Sequence, residues 1–338
     1  MDKQRLVQTA QALVAEKKGI LAADESTGTI KRRFDSINAE STEKSRRDYR
    51  EMLFRTSGVS DFISGVILYD ETIRQEAADG TRIVKVLSDQ GIIPGIKVDK
   101  GTIPLPSAPD ELVTEGLDGL RDRLNEYVEL GAGFTKWRAV ISITNDTPTP
   151  YGIAANAHAL ARFAALSQEA GLVPVVEPEV LRDGDHSIER CFEVTEETLR
   201  EVFNQLAQQK VLLEGILLKP SMVISGGLST QRADPDEVAE RTIECFKRVL
   251  PAAVPGVVFL SGGEPDNSVT SNLNAINQKT AALGTPWELT FSFGRSLQGA
   301  PLTAWAGKAE NTEAAALAFY TRARLTSDAR QGKYVPED

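Results

Sequence analysis

Eight short apolar runs with β character recur along this chain, and helical patterns lie between most of them. The runs are Gly19–Ala23, Ile63–Tyr69, Ile92–Val98, Phe134–Val140, Leu172–Val176, Gly215–Leu218, Gly256–Leu260 and Trp287–Phe293. Strands that alternate with helices build βαβ units and a parallel sheet. Eight such units suit a closed (β/α)8 barrel of the TIM type better than an open doubly wound sheet. An open sheet would usually carry a glycine-rich fingerprint after its first strand. The nearest match, Gly131-Ala132-Gly133, precedes a strand and lacks the third glycine. The expected fold class is therefore α/β, a TIM barrel. At 338 residues the chain is long for one core, but α/β barrels exceed the usual domain size as one unit. No linker or low-complexity tract divides it. Residues 1–338 read as one domain, with a short N-terminal helix and a short C-terminal tail.

The segments between the runs carry helix signals. Leu6, Ala10, Leu13 and Val14 share one face of an N-terminal helix. Apolar residues recur at helical spacing in 117–130, and Gly131 is a natural stop. An alanine-rich helix is expected over 152–170. Another is expected over 195–209, capped by Thr195 with Glu196 and Glu197 in its first turn. Asp234-Pro235-Asp236-Glu237 is a strong start, with Asp as N-cap, Pro at N1 and Glu at N3. The last long helix is expected over 311–326.

If the fold is a barrel, functional residues belong at the C-terminal ends of the strands and in the loops just beyond. The polar residues gather there. The first run ends in Asp24-Glu25-Ser26, the third carries Lys97, and the fourth carries Lys136 and Arg138 on one face. The fifth leads to Glu177 and Glu179, the sixth to Lys219, the seventh to Ser261-Gly262-Gly263, and the eighth through Ser292 and Gly294 to Arg295. Lys219 follows a short apolar run, and Pro220 then ends the ladder. Burial penalises an ammonium, and a neutral amine is a nucleophile toward ketones and aldehydes. The bland alternatives are a lysine snorkelling from a strand end, an Asp24 that caps a turn, and a structural ion network of Lys136 and Arg138 with Glu177 and Glu179. The paired glycines after Ser261 could be a plain turn, or could let backbone N–H groups approach an anion.

Charge narrows the function. The formal net charge of −10 argues against a nucleic-acid binder, which shows a basic footprint. At the expected rim, however, Lys97, Lys136, Arg138, Lys219 and Arg295 outnumber Asp24, Glu177 and Glu179. A small anionic substrate fits that local excess. Two phosphate positions are expected, one near Ser261–Gly263 and Arg295, the other across the mouth near Ser26, Thr29, Arg33 and Lys97. The two histidines, His158 and His186, do not make a metal site, so no metal and no cofactor is expected. Acid–base work then falls to carboxylates and lysines. The two cysteines, Cys191 and Cys245, make no disulfide framework and suit a reducing compartment. The N-terminus lacks an apolar signal region, and no segment is apolar for long enough to span a bilayer. A cytoplasmic protein without membrane attachment is expected.

The segments LAADESTGTIKRRF, GIKVDKG, KWRAV, VVEPEVL-x-DGDH, EGILLKP, FLSGGE, FSFGRSLQ and the closing QGKY resemble class I fructose-1,6-bisphosphate aldolases. The similarity runs from about Gly19 to Tyr334. The resemblance implies a barrel and reversible cleavage of fructose 1,6-bisphosphate to dihydroxyacetone phosphate and glyceraldehyde 3-phosphate. It implies that Lys219 forms the Schiff base, that Glu177 is the general acid/base with Lys136 and Glu179 beside it, and that Asp24 positions the C4 hydroxyl. Ser261, Gly262, Gly263, Ser292, Gly294 and Arg295 would hold the C1 phosphate. Ser26, Thr29, Arg33 and Lys97 would bind the other end of the sugar, with Arg138 at the rim, and the assembly would be a homotetramer. Arg32 stands where the family often has lysine, and Phe293 where animal members have tyrosine. Animal members also end in a mobile tail with a terminal tyrosine, where this sequence has Val335-Pro336-Glu337-Asp338. Two other readings stay open, another Schiff-base lyase for phosphosugars and a non-catalytic sugar-phosphate-binding scaffold.

Overall fold

The structure is a computed structural model that describes residues 2–336. All eight expected runs become strands, and they close into one parallel barrel. In chain order the strands are β1 (Gly19–Ala23), β2 (Ile63–Leu68), β3 (Ile93–Lys97), β4 (Thr102–Leu105), β5 (Ala108–Thr114), β6 (Phe134–Ile141), β7 (Val173–Val180), β8 (Leu217–Leu218), β9 (Gly256–Phe259) and β10 (Glu288–Phe293). The barrel order is β1-β10-β9-β8-β7-β6-β3-β2, while β4 and β5 form a separate antiparallel hairpin.

Two apolar clusters divide the interior. Outward-facing strand residues such as Leu21, Val66, Ile96, Trp137, Val176 and Leu218 pack against the surrounding helices. Inward-facing Ile20, Ala22, Ile67, Phe134, Val173, Val175, Leu217 and Val258 fill the barrel itself. The same inner cluster takes in Leu6, Ala10, Leu13 and Val14. The N-terminal helix (Lys3–Leu13) therefore stoppers the N-terminal end of the barrel with the face that its spacing marks as apolar. The Phe134 ring needs room there. A Cβ on Gly95 would lie 2.3 Å from it, so only glycine fits opposite.

Several helix boundaries follow local chemistry. Asp234 caps the helix Pro235–Val249 and accepts from the Glu237 N–H. The alanine-rich helix spans Pro150–Glu169 behind a Thr149 cap. The helix ending at Gly131 is Leu120–Leu130, three residues later at its start than expected. The helix expected from Thr195 instead runs Ile188–Gln208 and starts at Ser187, whose side chain accepts from Arg190 N–H. Thr195 is mid-helix and buried in a stripe with Cys191, Val194, Thr198 and Leu199, so packing carried the helix back past a plausible cap. The final helix is Thr312–Arg330, longer than 311–326. Strand β8 is only two residues long, and Gly215 belongs to a 3₁₀ turn, Leu213–Gly215. Strand β7 runs on through Glu177 and Glu179 to Val180. Cys191 and Cys245 are buried free thiols. In the expected C-terminal tail Tyr334 is buried, and Glu337 and Asp338 lie outside the described residues. No helix among the described residues is long and apolar enough to cross a membrane.

Candidate active site

Side chains alternate along a strand, so a residue two places beyond an inward-facing apolar residue also points inward. The polar rim is built this way. Asp24 follows Ala22, Lys136 follows Phe134, Glu177 follows Val175 and Lys219 follows Leu217. Parallel register aligns them: Lys136 pairs with Lys97 on one side and with Val175 on the other, and Arg138 pairs with Glu177. The Lys219 N–H donates to Val176 O at 2.8 Å, which continues the β8 pairing by one residue before Pro220.

These residues converge on a cavity of about 210 Å³. Lys219 is 4% exposed at its floor, and its Nζ lies 3.1 Å from Glu177 Oε1. Lys136 Nζ lies 3.3 Å from Glu177 Oε2 and 2.6 Å from Asp24 Oδ2, so one ammonium bridges two carboxylates. Burial would raise the Asp24 pKa, but Lys136, then Lys219 and Lys97, hold it well below the usual carboxylate range. Burial likewise opposes ionisation of Glu177, and Lys136, Lys219 and Arg138 outweigh it to lower that pKa. For Lys136 burial favours the neutral form, yet Asp24, Glu177 and Asp99 hold it above the ordinary lysine value. Glu179 does not reach Lys136. It pairs with Arg138 at the rim, and this carboxylate overcomes burial to keep the guanidinium strongly basic.

Most of the residues expected to cradle an anion line the same cavity. Gly262 and Gly263 both have positive φ, 56° and 83°, a geometry that favours glycine, and Glu264 N–H donates to Ser261 O at 2.9 Å to close the turn. Gly263 itself stands just outside the cavity lining, whereas Ser261, Gly262, Ser292, Gly294 and Arg295 belong to it. A Cβ on Gly263 would sit 2.8 Å from Arg295 Nη2, so the guanidinium packs directly on this glycine. The Ser292 hydroxyl is buried in the lining without a hydrogen-bond partner among the described residues.

Across the mouth, Ser26 caps the helix Thr27–Asp35, and its Oγ lies 3.1 Å from Thr29 Oγ1. Arg33 and Lys97 complete that side, and Lys97 Nζ is 3.3 Å from Asp99 Oδ1. Arg32 is exposed and donates to Thr29 Oγ1, while Phe293 is buried outside the cavity. Sequence reasoning did not single out Glu25. Its buried Oε1 accepts from Arg33 Nη1 at 2.6 Å and from Gln298 Nε2 at 2.8 Å, and the residue lines the cavity. Its place between Asp24 and Ser26 was the available signal. His158 is exposed beside Gln205, and burial pushes the His186 imidazole pKa down. Among the described residues no cluster of three or more His, Cys, Asp or Glu side chains is arranged to hold a metal ion.

Comparison with known proteins follows the same lines. A family model described as fructose-bisphosphate aldolase class-I matches residues 5–338. A probable fructose-bisphosphate aldolase class 1 of Xanthomonas campestris is 55% identical over 336 residues, covering 99% of each chain. The cytosolic fructose-bisphosphate aldolase 4 of Arabidopsis thaliana is 50% identical over 97% of this chain and 83% of its own length. The solved fructose-bisphosphate aldolase of Plasmodium falciparum, in complex with TRAP and a small-molecule inhibitor, superposes with a TM-score of 0.96 at 48% identity, over 99% of this chain and 96% of that one.

Proposed function

The chain belongs to the class-I fructose-bisphosphate aldolase family, and from that premise we propose that Lys219 is its Schiff-base amine. The protein is a lyase that cleaves fructose 1,6-bisphosphate reversibly to dihydroxyacetone phosphate and glyceraldehyde 3-phosphate. The observation that supports the residue assignment best is the 3.1 Å contact between the buried Lys219 Nζ and Glu177 Oε1.

That contact suggests a balanced proton cycle. Lys219 passes a proton to Glu177, and the freed amine attacks the C2 ketone. One proton moves from nitrogen to the C2 oxygen, giving a carbinolamine. Glu177 then returns its proton to that oxygen, which leaves as water, and a protonated imine remains. Asp24 orients the C4 hydroxyl, and Glu177 accepts its proton. The C3–C4 electron pair flows into the iminium, glyceraldehyde 3-phosphate departs and an enamine is left. Protonation of C3 by Glu177 and hydrolysis of the imine release dihydroxyacetone phosphate. Lys136 stays charged throughout and stabilises both carboxylates in turn.

In this reading Ser261, Gly262, Gly263, Ser292, Gly294 and Arg295 receive the C1 phosphate. Ser26, Thr29, Arg33 and Lys97 receive the other end, and the Arg138–Glu179 pair sits at the entrance. The whole chain acts as one catalytic domain, in a homotetramer and in the cytoplasm, where two buried free thiols would remain reduced. Sedimentation of the native protein measures the assembly.

The chemistry is tested by borohydride added with dihydroxyacetone phosphate, in excess chelator. The expected outcome is an inactive protein, heavier by one reduced triose phosphate, with the mass mapped to Lys219. Lys219→Ala and Lys219→Arg should lose both label and turnover, since guanidinium stays charged. A label on Lys136 or Lys97 would mean that the nucleophile is misassigned.

A further inference from the structure

The loops that follow β7, β8 and β9 are fastened to one carboxylate. Glu264 comes directly after Gly263, and its side chain is 5% exposed. Its Oε1 serves two guanidinium groups, the Nε of Arg182 just past β7 and the Nη2 of Arg232 past β8, the latter at 2.9 Å. Arg182 Nη1 also donates to Gly263 O at 3.2 Å. The two arginine loops are joined in turn, since Gly227 N–H donates to Arg182 O at 2.8 Å and Arg232 Nη1 donates to Gly227 O at 3.3 Å. None of the three charged residues lines the substrate cavity.

A carboxylate so far from water is costly unless it is well paired, and removing one partner is costlier still. What this one holds is a turn of two glycines, the residue type with the most backbone freedom to lose. Within the turn itself a single backbone bond, Glu264 N–H to Ser261 O, closes the loop. We propose that Arg182, Glu264 and Arg232 form a clasp that positions the phosphate turn. The clasp presets the N–H groups of Gly262 and Gly263, and it steadies the glycine on which the Arg295 guanidinium packs. These are positioning residues, because they touch the turn and not the substrate. The inference rests on the reading of Ser261–Gly263 as the C1-phosphate cradle. A cradle ordered in advance binds more tightly because less freedom is lost on binding.

The test compares Arg182→Ala and Arg182→Lys with Arg295→Ala, using fructose 1,6-bisphosphate. Arg182→Ala should raise KM about tenfold with kcat within about twofold of the parent. Borohydride labelling of Lys219 at saturating dihydroxyacetone phosphate should persist. Arg182→Lys keeps the charge on Glu264 but loses the fork, and should recover most of the KM. Should the alanine variant not fold, Arg182→Gln is measured in the same way. If Arg295→Ala raises KM and the Arg182 variants do not, the clasp is overturned while the cradle stands. If Arg295→Ala also leaves KM unchanged, the cradle reading fails and the clasp falls with it. Loss of kcat and melting temperature together, with KM constant, would make the clasp merely structural and overturn the proposal.

Discussion

At its N-terminal end the barrel is filled by hydrocarbon, where Leu13, Phe134, Val173 and Val175 meet beneath the first helix. At its C-terminal end, two residues further along the same strands, it is filled by charge. The step from Val175 to Glu177, or from Leu217 to Lys219, covers only about 7 Å of strand. The apolar end sets how firmly the cylinder closes, and the charged end uses that firmness. Lys136, Asp24, Glu177 and Lys219 sit close together because neighbouring strands hold them in register. In the proposed assignment, stability and chemistry are stacked along one axis.

If the ends divide their duties in this way, variants should separate them. The largest effect is expected from Glu177→Gln, an isosteric change at the charged end. Turnover per folded molecule should fall by about 10²–10⁴-fold through loss of the proposed proton carrier, well beyond the drop in melting temperature that follows when Lys136 and Lys219 lose a buried partner. Steady-state assay beside calorimetry checks both. Phe134→Ala should lose stability alone. A buried aromatic removed from a packed core costs about 3–5 kcal/mol, measured by denaturant titration, while kcat per folded molecule stays near the parent. A Phe134 variant that loses kcat without losing stability would break the comparison.

The smallest effect sharpens it through pH. Asp24 and Glu177 are held below their ordinary values of 3.8 and 4.5. Their contribution to stability is therefore complete above those values, and it drains away as pH falls below them through the folded-state values. From about pH 6 to about pH 3 the parent should lose on the order of 1–3 kcal/mol. The deficit of Phe134→Ala relative to the parent should stay constant across that range, since hydrocarbon does not titrate. Glu177→Gln should remove part of the slope. A slope unchanged in that variant would mean that acid acts elsewhere.

The same axis explains what could be read from sequence. Strand starts, the first helix and the rim residues were legible because period-two alternation and strand-end position carry them. Lys219 stands out although β8 is only two residues long, because its apolar run ends at the rim where the other polar residues gather. The β4–β5 hairpin was not legible. Pro104, Pro109, Asp110 and Glu111 blur its alternation, and its pairing lies outside the barrel. The helix over Thr195 was begun too late because a good local cap was overruled by a buried stripe. Partners were the hardest to foresee. Glu25 with Arg33 and Gln298, or Glu264 with Arg182 and Arg232, are ordinary charged residues until the fold brings them together.

One of those contacts bears on how the protein is made. Glu25 and Gln298 are 273 residues apart, and β1 cannot complete its pairing until β10 exists. On a ribosome adding about 5–20 residues per second, the early segments wait for tens of seconds. During that wait β1 presents an unpaired edge, and the first helix has no barrel end to enter. A nascent chain released early would carry Asp24, Lys136, Glu177 and Lys219 but would lack Ser292 and Arg295, which line the same cavity.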